Sequence, residues 1–499
     1  MLIPKEIKTI IDKLKESGYE AYIVGGCVRD VLLASPKFNG NKRGVEPEDW
    51  DITTNAKPEE IQKIFPDSFY ENKFLTVTVK TGSKNPKLKE VEVTTYRKEA
   101  KYTDKRHPDE VRFAKTLEED LARRDFTVNA MAIGEKTEKR KKKMEIVDLF
   151  SGQEDLKKKI IRAVGKAEER FSEDALRMIR AVRFASVLGF AIEPATAEAI
   201  RKNSPLIKSI SPERIRDELV KIILADGAAE AIDMLKEVGL LKFIIPELEE
   251  NYGVGQNKHH IYDCYTHALK SLAYGAKKKF DLYVRLAALF HDIGKPRVKV
   301  GQGPDSTFYN HEVVGAKMVF EILNRLKFPK KDIEKITALV RYHLFYYNVG
   351  EVSESSVRRL VKNVGPENME ELLEVRQCDR IGSGVPKAEP YKLRHLKYII
   401  EKVSRDAISV KMLGVNGSDV MDILQVKPGP KIGQILDVLL GYVLDDPAKN
   451  KKDFLEKQLK ELGQLADKEL EMLAGQSKKK RLEIETKRDE MTKKKYWVT

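Results

Sequence analysis

The sequence predicts an α+β chain: a small mixed β-sheet with helices comes first, and all-α segments follow it to the end. Two observations carry this. Strand-like runs occupy only the first part, namely AYIV at 21–24, LTVTVK at 75–80 and EVEVTT at 90–95, the last alternating with the two-residue period of a half-buried strand. From about residue 153 the apolar residues recur with helical spacing instead, as in EDALRMIRAVRFASVLGF and SPERIRDELVKIILA. The Ser-Pro that opens the second of these is a helix-start signal. A chain of 499 residues exceeds what one hydrophobic core fills, and suits roughly two to four domains.

The elements follow in order. The opening MLIPKEIKTIIDKLKESG interleaves Lys and Glu with apolar residues, which reads as an amphipathic helix and not as a signal peptide. Residues 1–150 read as the mixed α/β domain and 151–255 as a helical segment. The Gly/Asn/His-rich break NYGVGQNKHH at 251–260 precedes a second helical domain, 256–400, which carries most of the histidines. Residues 401–499 form a helical tail, ending from about Asp467 in a Lys/Glu-rich helix whose charges nearly alternate in sign.

Composition narrows the function classes. Lys and Arg total 92 against 78 for Asp and Glu, a net charge of +14 that leans towards a polyanionic partner. No run of about 18 apolar residues exists to span a membrane. Cys27, Cys264 and Cys378 are far apart and form no CxxC pair, so neither a disulfide framework nor a thiolate zinc site is expected. The compartment reads as reducing, the cytoplasm.

Four motifs in the first half carry chemistry. Gly25-Gly26-Cys27-Val28-Arg29-Asp30 follows a strand; it is either a plain turn or a place where backbone N–H groups and Arg29 meet a phosphate. Asp49-Trp50-Asp51 is either a solvated acidic turn or, on a strand, two carboxylates about 6.5–7 Å apart on one side that can share divalent cations, with Glu92 as candidate third ligand. In Arg123-Arg124-Asp125-Phe126-Thr127-Val128-Asn129-Ala130, paired arginines followed by a carboxylate suit either a salt-bridged surface or phosphates and a ribose hydroxyl. The fourth motif, Glu173-Asp174 through Phe184, places Asp174 and Arg177 at i,i+3 on one helix face, with Arg177, Arg180 and Arg183 stepping back about 60° each as a spiral ridge. A carboxylate accepts and a guanidinium donates. The pair therefore matches the amino donor and ring-nitrogen acceptor of cytosine or adenine and mismatches uracil and guanine, unless these are simply helix ion pairs.

Together and in this order, these motifs resemble the class II CCA-adding enzymes, the tRNA nucleotidyltransferases that share their head with bacterial poly(A) polymerases. The resemblance runs through roughly the first 225 residues and includes Ser211-Pro212-Glu213-Arg214-Ile215 with Glu218-Leu219. It implies a nucleotidyltransferase palm at 1–150 and a neck and body at 151–255. Asp49 and Asp51 would hold catalytic Mg²⁺, with Glu92 as the candidate third carboxylate. Gly25, Gly26 and Arg29 would bind the triphosphate, with Arg123, Arg124, Asp125 and Asn129 near sugar and phosphates. Asp174 and Arg177 would template the base, supported by Arg180 and Arg183. The stretch from Arg97 to Arg112 resembles the loop that helps to switch from C to A addition. One departure is the longer connection Ser35–Glu48 before Asp49, read as an exposed loop; the basic run Lys136–Lys143 reads as a hairpin tip.

In the second half His267, His291-Asp292, His311, His343 and Asp379 resemble the HD phosphohydrolase signature in its fuller form. Imidazole and carboxylate ligands suit Mn, Fe, Ni, Co or Zn, or Mg. The neighbouring His259 and His260 are not assigned to it. The residues 428–433 and the helix after them resemble the family's tail. The resemblance thus implies a cytoplasmic enzyme, monomer or homodimer, that builds the tRNA CCA end from CTP and ATP and carries a linked phosphohydrolase, with no membrane partner. Two other readings remain: a poly(A) polymerase or A-adding enzyme, and an HD phosphohydrolase whose head is a nucleotide-binding module.

Overall fold

The computed structural model describes residues 3–35, 47, 49–71, 76–100, 110–138, 141–257, 261–404 and 410–498. Residues 36–46 and 48 of the expected loop before Asp49, residues 101–109 of the switch-loop stretch, residues 139–140 of the basic run, and His259 and His260 lie outside the described residues. The chain folds as two compact units, Met1–Leu344 with Glu374–Pro386, and Phe345–Leu373 with Lys387–Thr499.

In the first unit the amphipathic start forms the helix Lys5–Glu16, with Ile7, Ile10, Ile11 and Leu14 buried. The strands are β1 (Ala21–Val24), β2 (Asp51–Thr54), β3 (Ser68–Glu71), β4 (Thr76–Lys80), β5 (Glu90–Thr95), β6 (Arg97–Ala100), β7 (Glu110–Phe113), β8 (Met131–Glu138) and β9 (Lys141–Asp148), with a further two-residue pair, Ile160–Ile161 and Ala191–Ile192, among the later helices. Seven make one mixed sheet in the order β3-β4-β5-β2-β1-β8-β9, while β6 and β7 pair as a separate hairpin. Only β2 and β5 run parallel within the large sheet. The alternation of EVEVTT works as expected: Val91 and Val93 are fully buried and Glu92 faces outward. The basic run falls on β8 and β9, which pair from Met131↔Asp148 to Glu138↔Lys141.

Two local expectations are corrected. The strand begins at Asp51, and Asp49 lies exposed in a bend before it. The ladder ends there because Val24, the partner of Asp51, is followed by the turn at Gly25. Trp50 and Ile52 are nonetheless buried, so parity still directs Asp49 and Asp51 to the opposite side. The helix expected through 173–184 is broken, since Ala167–Glu173 ends at Asp174, which is extended (φ −137°, ψ 103°), and the next helix is Leu176–Leu188. Asp174 Oδ1 instead accepts from the Leu176 N–H at 3.0 Å, a short polar side chain competing with the helix for a backbone donor.

Helices dominate the remainder of this unit. Pro212–Leu224 starts at the Ser-Pro signal, with Pro212 at its first position, although the Ser211 hydroxyl makes no capping bond. In the second unit Pro430–Asp445, Lys452–Gly463 and Asp467–Tyr496 enclose a core that includes Ile435, Leu439, Leu455, Leu459 and Leu470. The charged tail is one 30-residue helix that buries only Leu470, Ala474 and Thr492.

Candidate functional site

The head site forms where β1 ends. Gly25 adopts φ +84°, and a Cβ there would lie 3.0 Å from Arg124 Nη1 and 3.3 Å from Asp51 Oδ2. The glycine turn, one DxD carboxylate and one arginine of the third motif therefore meet at a single point. The parallel register sets Asp51 opposite Glu92. Burial raises the pKa of both; the charge of Asp49 adds to it at Asp51 while Arg124 opposes it, and Asp51, Glu71 and Asp49 add to it at Glu92. Crowded, partly desolvated carboxylates are what a divalent cation relieves, and an all-oxygen donor set fits Mg²⁺.

Arg123 and Arg124 are fixed by Asp120, a fully buried carboxylate given no role from the sequence. Asp120 Oδ1 accepts from Arg123 Nε (3.0 Å) and Nη2 (2.9 Å), and Oδ2 lies 3.4 Å from Arg124 Nη2. Burial opposes ionisation of Asp120, but the two guanidinium groups hold its pKa below the ordinary value. Thr53 of β2 also reaches it, at 3.5 Å.

A continuous ionic chain then links head and neck. Arg29 grips Asp30 through Nε (2.8 Å) and Nη2 (3.1 Å) and donates from Nη1 to Asn129 Oδ1 (2.7 Å). Its fork, expected on a phosphate, is thus engaged within the protein. Asn129 Nδ2 donates to Asp125 Oδ1 (3.2 Å), and Arg180 closes bidentately on Asp125 Oδ2 (2.9 and 2.7 Å). Burial would raise the Asp125 pKa, yet Arg180 brings it down to about 2. Glu218, also unassigned from the sequence, pairs with Arg183 at 3.1 Å and lies 3.7 Å from Arg180. The guanidinium groups of Arg29, Arg180 and Arg183 surround the Phe184 ring at 4.2–5.3 Å.

Arg123, Arg124, Asp125, Asp174, Arg177 and Arg180 line one pocket of about 250 Å³, together with Leu176 and Arg214. Arg214, named in the Ser211–Ile215 motif but given no role from the sequence, places its Nη2 2.7 Å from Asp174 Oδ2. Arg177 is held by Glu173 (2.9 Å) and by the carbonyl of Arg123 (3.1 Å). A carboxylate acceptor and guanidinium donors thus share one pocket wall, as the motif implied, although they are not on one continuous helix.

The six histidine-series residues also converge, and all are buried. His267 lies in Cys264–Lys277, His291 ends Leu282–Phe290, His311 opens His311–Arg325, His343 ends Lys330–Tyr342, and Asp379 lies in Met369–Gly382. Backbone carbonyls of Ala288, Phe308 and Val340 lie 2.7–2.9 Å from Nδ1 of His291, His311 and His343, which directs each Nε2 inward. Asp292 stands between two sets. Its Oδ2 is 3.2 Å from His267 Nε2 and 3.3 Å from His291 Nε2, and its Oδ1 is 3.3 Å from His311 Nε2 and 3.7 Å from His343 Nε2. Asp379 Oδ1 lies 3.5 Å from His267 and 3.7 Å from His291. His267, His291 and Asp292, and likewise Asp292, His311 and His343, hold their ligand atoms within 4.8 Å of one another. Among the described residues no other such group of His, Cys, Asp and Glu occurs, so the head carboxylates gather less tightly. Lys295 and Arg376, unassigned from the sequence, neutralise the two carboxylates at 2.6 and 2.7 Å.

Comparison with known proteins agrees with this division. Residues 21–162 match the poly A polymerase head domain, 189–252 the probable RNA and SrmB-binding site of polymerase A, and 264–381 the HD domain. The CCA-adding enzyme of Lactobacillus delbrueckii subsp. bulgaricus is 46% identical over 232 residues, 46% of this chain and 53% of that protein, so this match spans about half of the relative's length. The CCA-adding enzyme of Ligilactobacillus salivarius is 33% identical over 477 residues, 92% of this chain and 99% of that protein. The crystal structure of Bacillus stearothermophilus CCA-adding enzyme in complex with CTP is 30% identical, with a TM-score of 0.56 over 92% of this chain and 98% of that one. No helix among the described residues is long and apolar enough to cross a membrane. With head, neck and HD segments in the same order and the alignment running nearly end to end, the chain belongs to the CCA-adding enzyme family.

Proposed function

We propose that the chain adds the 3′-terminal C, C and A to tRNA in the cytoplasm, using CTP and ATP and no nucleic-acid template. The observation that carries this reading is Arg124, which lies beside Gly25 and Asp51 at one end and lines the Asp174–Arg177 pocket at the other. The tRNA 3′-hydroxyl attacks the α-phosphorus of the bound nucleotide, its bond to the β-phosphate oxygen breaks, and pyrophosphate leaves. Asp49 and Asp51, with Glu92, would hold Mg²⁺, which when bound lowers the pKa of the hydroxyl and stabilises the leaving oxygens. Asp174 accepts from the exocyclic amino group of C or A, Arg177 donates to the adjacent ring nitrogen, and Arg214, 2.7 Å from Asp174 Oδ2, keeps the carboxylate aimed. Arg123 and Arg124 offset triphosphate charge, while the chain from Arg29 through Asn129, Asp125 and Arg180 fixes the pocket wall.

The second cluster supports a linked metal-dependent phosphohydrolase. His267, His291, Asp292 and Asp379 would hold one ion and Asp292, His311 and His343 a second, and this mixed N/O set suits Mn, Fe, Ni, Co or Zn more than Mg. When bound, the ions supply Lewis acidity towards a phosphoester and its attacking water.

The test supplies labelled CTP, ATP, UTP or GTP with Mg²⁺ to transcripts ending at the discriminator base, at C and at CC, with Asp49→Ala as control. Stepwise C, C, A addition that then stops is expected. Addition of A to the CC-ending transcript alone makes the chain an A-adding enzyme, and unbounded A addition a polymerase. No incorporation by the wild-type chain overturns nucleotidyl transfer.

A further inference from the structure

We propose that Arg285 is a positioning residue for base selection: from the histidine-bearing domain it holds one end of the helix Pro212–Leu224, whose other end aims Asp174, so that this domain takes part in the choice of nucleotide. This rests on reading the pocket of Asp174, Arg177 and Arg214 as the base-selecting one. Pro212–Leu224 carries two of the groups behind that pocket. Arg214, in its first turn, holds Asp174 at 2.7 Å, while Glu218, one turn on, holds Arg183 at 3.1 Å and lies 3.7 Å from Arg180. About 15 Å of helix separates Arg214 from Leu224. At that far end the last carbonyls have no partner within the helix and carry its negative partial charge. Arg285 meets them. Its Nη1 donates to the Ile223 carbonyl at 3.0 Å and to the Ala225 carbonyl at 3.1 Å, and its Nε donates to the Phe280 carbonyl at 2.8 Å.

Arg285 is itself firmly placed. It is 3% exposed, and burial lowers its pKa. Taking a guanidinium out of water is costly unless its donors are paired, and here carbonyls pair them, two of the three at the helix end. Its own helix, Leu282–Phe290, is buried at every position from Val284 onward and runs directly into His291 and Asp292. A second brace comes from the same domain, since Arg216 Nη1 donates to the Lys327 carbonyl just after His311–Arg325. Two residues apart on a helix, Arg214 and Arg216 point about 200° apart. The helix is therefore gripped between the base pocket on one side and the histidine-bearing domain on the other. Close-packed interiors transmit strain. Slack at Arg285 reaches Asp174 through Arg214, and a carboxylate no longer aimed at the amino group of C or A loses its preference over U.

The test measures incorporation of CTP and UTP into a transcript ending at the discriminator base, with melting temperature alongside. Arg285→Met, which keeps much of the side-chain bulk and removes the donors, should raise the relative use of UTP roughly 2- to 30-fold, the span of couplings carried through packed elements. Arg285→Lys, which keeps a charge at the helix end, should restore part of the CTP preference. Leu272→Ala, at a fully buried site elsewhere in the same domain, should lose stability and keep the wild-type ratio. An unchanged ratio in Arg285→Met overturns the proposal, as does an equal shift in Leu272→Ala, since either makes Arg285 a support of the fold alone. If Arg285→Met does not fold, Arg216→Ala, which leaves the helix end capped, decides: a raised UTP-to-CTP ratio supports the brace and a wild-type ratio overturns it. If the wild-type chain incorporates no nucleotide, the transfer reading fails by itself, and calorimetric binding of CTP and UTP decides the link. A weaker CTP preference in Arg285→Met or Arg216→Ala supports it, and an unchanged preference, or no binding by the wild type, overturns it.

Discussion

Replacing Gly25 by Ala tests whether the first glycine turn positions the head chemistry. The residue sits at φ +84°, ψ −144°, a backbone region that non-glycine residues occupy at a cost of about 1–3 kcal/mol. The added Cβ would meet Arg124 Nη1 at 3.0 Å and Asp51 Oδ2 at 3.3 Å. Comfortable contact begins near about 3.5 Å, so Arg124 must retreat by about 0.5 Å and Asp51 by about 0.2 Å. A 1 Å misplacement at a reacting centre costs roughly a hundredfold, so a half-ångström shift is expected to lower kcat about tenfold. The assay is initial-rate CTP incorporation into a transcript ending at the discriminator base, with kcat and KM separated and melting temperature measured alongside. Gly18→Ala is the control, since it too has a positive φ (+87°) but nothing within 4 Å. Both variants should lose stability, and only Gly25→Ala should lose rate. Gly25→Ala with wild-type kcat and KM would refute the claim that this turn sets Asp51 and Arg124.

The remaining tests separate the parts of the two sites. Asp174→Ala should lower CTP and ATP incorporation about 10- to 100-fold and raise the relative use of UTP and GTP, measured as incorporation ratios on one transcript. Asp51→Asn should abolish incorporation, on the order of a thousandfold, while raising the melting temperature of the metal-free protein. The sign follows from the raised Asp51 pKa: its contribution is present below the ordinary pKa and is lost as pH rises through the folded one, so at neutral pH the bare carboxylate is a liability that Asn removes. Asp125 goes the other way. Lowered from 3.8 to about 2 by Arg180, it should contribute about 2 kcal/mol above pH 4, lost as pH falls towards 2, so the urea-unfolding gap between wild type and Asp125→Asn narrows on acidification. Gly294→Ala would drive a Cβ against the His311 carbonyl and to 2.6 Å from the Gly315 nitrogen; it should reduce metal content at the HD centre, measured by elemental analysis.

Much of the head was legible because burial imposes a period. EVEVTT alternates since Val91 and Val93 enter the core, and Lys5–Glu16 declares itself by its buried Ile and Leu positions. The clustered His/Asp series was legible for another reason: histidine is scarce here, 8 in 499 residues, so an ordered series of it stands out. Asp120 and Glu218 were visible in motifs yet carried no role, because what they hold is tertiary. Arg214 lies 40 residues from Asp174, and no local pattern states that two helices bring them together. Arg285 reaches the Ala225 carbonyl across 60 residues of sequence in the same way.

The corrected elements point to a physical reason for this division. Asp49 lies just beyond the ladder of β2, Gly25 just beyond β1, and Asp174 in the break between two helices. Inside a regular element the backbone's hydrogen bonds are closed upon themselves and the side-chain directions are repeated. At an element's end, donors, acceptors and carboxylates face outward and can be aimed at a ligand. Periodicity therefore locates the scaffold well and falls silent one residue before the chemistry. The break at Asp174 makes the point most sharply. An uninterrupted helix would have kept Asp174 and Arg177 at i,i+3 on one surface. The extended residue instead frees the carboxylate to meet Arg214 at 2.7 Å on a pocket wall shared with Arg124. Arg214→Lys, which keeps the charge but loses the fork, should therefore weaken discrimination between CTP and UTP more than it weakens folding. If melting temperature falls while the CTP-to-UTP ratio stays at its wild-type value, Arg214 is only a brace for the helix, and the aiming of Asp174 belongs to its own backbone turn.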